Sequence, residues 1–115
     1  MTVQQHEVID FVALDPQGGA VLLVMVESRE WGEGGKLLPD LQEKMNTYYS
    51  YVTEGRLHQD FPQSTGRAVR IELRSSVAPG FRELEFLRIA KAHHLDEVGI
   101  ELRWKVIGEA ETHDI

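Results

Sequence analysis

Between Lys36 and Gly55 the apolar side chains return at helical spacing. At about 100° per residue, Leu37, Leu38, Leu41, Met45, Tyr48, Tyr49 and Val52 gather on one side. Asp40, Glu43, Lys44, Asn46, Thr47 and Ser50 occupy the rest of the circumference. Pro39 stands where a first turn tolerates a missing N–H, and Gly55 is placed to end the helix in a left-handed cap. On either side the period falls to two. Residues 7–15 and 20–27 read as strands joined by Pro16-Gln17-Gly18-Gly19, a hairpin. Residues 67–74 alternate strictly, with Val69, Ile71 and Leu73 opposite Arg70, Glu72 and Arg74. Residues 99–107 repeat this, with Ile100, Leu102, Trp104 and Val106 opposite Glu101, Arg103 and Lys105. A second helix is expected over about 80–94, after a break at Ser75 to Pro79, and residues 56–66 read as a loop.

The order ββαβαβ makes each strand–helix–strand step parallel and right-handed. With both helices on one face, the strands should lie in the order 1-2-3-4, strand 1 antiparallel to the rest. This is an α/β (α+β) two-layer sandwich, a four-stranded mixed sheet with two helices on one face. Residues 1–115 are expected to form a single domain, with 108–115 as a flexible polar tail. Leu41, Met45, Tyr48 and Val52 should be buried against Val69, Ile71, Leu73, Leu102 and Trp104.

The hairpin departs from simple two-sided patterning. Its second strand is apolar on both faces, Val21, Leu23 and Met25 on one and Leu22, Val24 and Val26 on the other. Two helices cover only one side of a sheet, so an uncovered triplet would call for a partner. A twofold copy of the same patch would supply one. The expected interface comprises Val8, Val12, Leu14, Leu22, Val24 and Val26, and Val24→Lys should split the dimer.

Composition narrows the classes. The chain has 42% hydrophobic and 27% charged residues, enough apolar surface for a core without a metal or a disulfide. It has no cysteine, which removes thiolate chemistry and Cys-based zinc sites. A net charge of −7 disfavours general binding to phosphate backbones. The first ten residues lack the basic-then-apolar order of a secretory signal, and the apolar run from Ala20 to Val26 is too short to span a bilayer. A soluble cytoplasmic protein is the expectation, without membrane association.

The run HEVIDFVALDP, the apolar second strand, a Trp in the next loop and LQEKMNTYYSYVTEGRL together resemble a family of small bacterial proteins of unknown function. The resemblance lies mainly in the N-terminal half. It implies a bacterial cytoplasmic origin and brings no activity and no site residues.

Individual groups point weakly to chemistry. Asp15 and Glu27 loosely evoke the paired carboxylates of metal-dependent nucleases, but Arg29 is too basic for the accompanying lysine's role, and a tight turn would hold the two acids at opposite ends of the hairpin. His93 and His94 sit side by side and would point about 100° apart on a helix, without the i, i+4 spacing of a zinc motif. Their place at a helix C-terminus is favoured by the macrodipole. His58 and Asp60 lie in the preceding loop. Gly32-Glu33-Gly34-Gly35 carries an acid where a phosphate cradle needs none, and Ser75 and Ser76 read as N-cap residues. Arg70, Arg74, Arg103 and Lys105 with Glu72 and Glu101 should form cross-strand ion pairs, or a docking face for an acidic partner.

The expectation is therefore a small interaction module, homodimeric and without catalytic activity, cofactor or metal, with an unidentified protein as a further partner. Divalent metals should leave its stability unchanged. The alternatives are a metal-dependent hydrolase or nuclease using carboxylates and histidines, and a small-ligand binder. The ligand pocket would lie between the first helix and the sheet, lined by Tyr48, Tyr49, Tyr51 or Trp31.

Overall fold

The computed structural model describes residues 2, 4, 8–16 and 18–115, with the backbone alone for Glu33. Glu7 and Gln17, assigned above to the first strand and its turn, lie outside the described residues. Strand β1 (Phe11–Leu14) runs antiparallel to β2 (Val21–Glu27), pairing Phe11 with Val24 and Leu14 with Val21. Asp15 N donates to Ala20 O and Gly19 N to Asp15 O, which closes the hairpin. Helix α1 (Leu38–Thr53) follows, with Pro39 in its first turn. Gly55, at φ +83°, takes the left-handed conformation that a side chain would resist, and the chain restarts as α2 (Arg56–Asp60). This short helix replaces the expected loop; Leu57, fully buried, holds it to the core.

Strand β3 (Val69–Ser75) lies parallel to β2, and β4 (Ile100–Val106) parallel to β3. Between them runs α3 (Phe81–Ala90), which widens into a π turn at Lys91–Leu95. The C-terminal segment does more than extend as a tail. His113–Asp114 forms β5, antiparallel to β4, so the mixed sheet has five strands in the order β1-β2-β3-β4-β5. The class and the order of the first four strands are those expected, with one more strand and one more helix.

Odd-numbered residues of β2 and β3 and even-numbered residues of β4 face the helices. Val21, Leu23, Met25, Ile71, Leu73, Ile100 and Leu102 share one core with Leu41, Met45 and Tyr48 of α1 and Leu87 and Ala90 of α3. Val52, Val69 and Trp104 pack against this core half-buried. On the other face, the register sets Arg70 beside Glu101 and Glu72 beside Arg103. The expected cross-strand pairs form there. Arg70 reaches Glu101 at 2.7 Å and Asp15 at 2.8 Å, while the buried Glu72 holds Arg103 at 2.6 Å and Arg74 at 2.5 Å.

One buried polar cluster ties β1 to α1. Lys44 Nζ donates to Asp10 Oδ1 at 2.8 Å and to Thr2 O at 3.2 Å, and both charged side chains are fully buried. Asp10 Oδ2 accepts from Val26 N. Tyr48 Oη accepts from Asp10 N at 2.9 Å and donates to Val24 O at 2.5 Å. Burial pushes the Tyr48 hydroxyl well above the ordinary tyrosine range, and the nearby Asp10 carboxylate adds to this against the opposing backbone hydrogen bond. Tyr51, bonded to Asp60, shifts the same way, again chiefly through burial. In the unfolded chain these phenols would ionise near pH 10 while the folded ones keep their protons. Their contribution is thus fully present below about pH 10 and is lost as pH rises above it. Urea midpoints measured from pH 9 to 11 should fall, and the fall should be shallower in Tyr48→Phe; identical slopes would contradict this reading.

Candidate functional site

Helices α1 and α3 both rest on the sheet, yet they leave a groove between their outer sides. At one end, Gln42, Met45, Asn46 and Tyr49 of α1 face Phe86, Ala90 and His94 across a hollow of about 260 Å³. At the other end, Leu38 and Gln42 face Arg82, Glu85, Phe86 and Ile89 across one of about 400 Å³. Gln42 and Phe86 line both, so the two hollows form one continuous surface. The π turn spreads five residues over the turn that carries His94, whose ring meets Tyr49 edge-on at 6.0 Å. His93 is exposed.

Helix α3 has two apolar sides, and only one is covered. Leu87 and Ala90 enter the core, whereas Phe81 is 77% and Ile89 51% exposed. Gly80 opens this helix, its N–H donating to Glu83 Oε1 at 3.0 Å. A Cβ at Gly80 would stand 2.9 Å from that carboxylate oxygen. The cap is therefore not a serine. Ser75 ends β3, buried, its Oγ without a partner among the described residues, and Ser76 N donates to Glu27 O. Along the outer stripe of α3, Arg82, Glu85 and Arg88 have no ion pair among the described residues. The sheet's Arg70, Arg74 and Arg103 are all paired.

The residues expected to form a hairpin interface do not make one patch. In the antiparallel ladder, Val12 stands opposite Leu23 and Leu14 opposite Val21, which puts both on the helix side. Leu22, Val24 and Val26 point to the other face, where Phe11 and Ala13 are their β1 neighbours. Val8 lies before β1, 47% exposed. The premise of an uncovered triplet also changes, because Leu22 is only 6% and Val24 1% exposed within the single chain. They are flanked by Arg70 and Glu72 of β3, and arginine stems are apolar enough to lie along such residues. Val24→Lys would therefore strain the fold before it reached any association.

The chemical constellations separate likewise. Asp15 joins Arg70 and Arg103 on the outer face, while Glu27, at the far end of β2, is buried and bonded by Arg29 at 2.7 Å. His58 Nδ1 meets Ser64 Oγ at 2.8 Å. Among the described residues no three His, Asp or Glu side chains gather as metal ligands. Of the aromatic residues proposed to line a pocket, Tyr49 lines the hollow between α1 and α3, which lies between two helices instead of between helix and sheet. Tyr48 and Tyr51 are committed to hydrogen bonds, and Trp31 donates to Val77 O at 2.9 Å. The buried Lys44 was missed. Its signal was its place about 20° from both Leu37 and Tyr51 on the wheel, inside the apolar arc.

The chain belongs to a family of unknown function, DUF6572, whose model matches residues 1–108. No curated protein and no solved structure matches it. No helix among the described residues is long and apolar enough to cross a membrane.

Proposed function

We propose that this member of a family of unknown function is a small interaction module that pairs with a second copy through its helical layer. The observation that carries the reading is the outer stripe of α3, where Phe81 and Ile89 are exposed beside a groove and Arg82, Glu85 and Arg88 alternate in sign without ion partners among the described residues. Two such helices crossing antiparallel, with a twofold axis between Glu85 and Arg88, would set each Glu85 against the other copy's Arg88. A twofold contact needs only one self-complementary surface, and this stripe offers apolar area and both charges. The hairpin residues Val8, Val12, Leu14, Leu22, Val24 and Val26 support an interface less well, since they are divided between two faces. The module works without catalysis in this reading, and the resemblance of its N-terminal half supports a bacterial cytoplasmic setting. A net charge of −7 and the paired arginines of the sheet argue against nucleic acid as its partner.

At micromolar concentration the wild type should sediment at twice its 13.1 kDa, and Ile89→Lys should sediment as a folded monomer. A wild type that sediments as a monomer would remove the dimer from this reading.

A further inference from the structure

We draw no further inference here: the strongest candidate, the hollow between α1 and α3 rimmed by Gln42, Asn46, Tyr49 and His94, belongs to the groove already described, and nothing in the structure shows what covers it.

Discussion

Asp10→Ala should lower stability by about 3–5 kcal/mol, the range for breaking a buried ion pair by removing one partner. The side chains of Asp10 and Lys44 are both fully buried, 2.8 Å apart. Removing the carboxylate takes that counter-charge from a buried ammonium and an acceptor from Val26 N. It also disturbs the strand entry that Tyr48 holds through Asp10 N. The urea midpoint of the variant, measured at pH 7, reads this directly. Replacing both partners by apolar residues, Asp10→Leu with Lys44→Met, should recover much of the loss, since the desolvation cost of the charges disappears with them. A loss below about 1 kcal/mol for Asp10→Ala would mean that water reaches the pair.

Leu41→Ala should cost about 2–5 kcal/mol, as truncations in a packed interior do. Leu41 is completely buried in the core that α1 shares with the sheet. The removed atoms leave a cavity that flanking residues on a 16-residue helix and a five-stranded sheet can fill only in part. Ile89→Ala on the exposed side of α3 supplies the contrast and should stay within about 0.5 kcal/mol in the monomer. If the two variants melt alike in urea, the packing described for α1 is wrong.

Where burial follows a regular period, the fold could be read from the chain. Alternation at Val69, Ile71 and Leu73 and at Ile100, Leu102 and Trp104 located β3 and β4, and the handedness of the crossovers ordered the sheet. Features set by partners far along the chain could not be read that way. A charged Lys44 reads as solvent-facing, yet Asp10, thirty-four positions away, receives it in the interior. Leu22 and Val24 read as interface residues because nothing local covers them, yet the outer face of the same sheet buries them. The β1 register divides the hairpin's apolar residues, since pairing Val12 with Leu23 and Leu14 with Val21 sets both on the helix side, away from Leu22 and Val24. The groove between α1 and α3 has no local signal; its mouth depends on the helix spacing and on the π turn, which no short motif announces. The pairing of His113 with Trp104 joins a polar tail to a strand without any periodic signal.

The sequential order of the sheet has a bearing on how it is assembled. Every strand lies beside the one made just before it, from β1 to β5. The sheet therefore extends from a single growing margin, and no strand has to be threaded between two that are already joined. Each step closes a chain loop to a margin that the preceding segment has just created, so the entropic cost is met in instalments set by the two helical crossovers. Of the five strands, the last to be made is also the one that brings the growth to a stop.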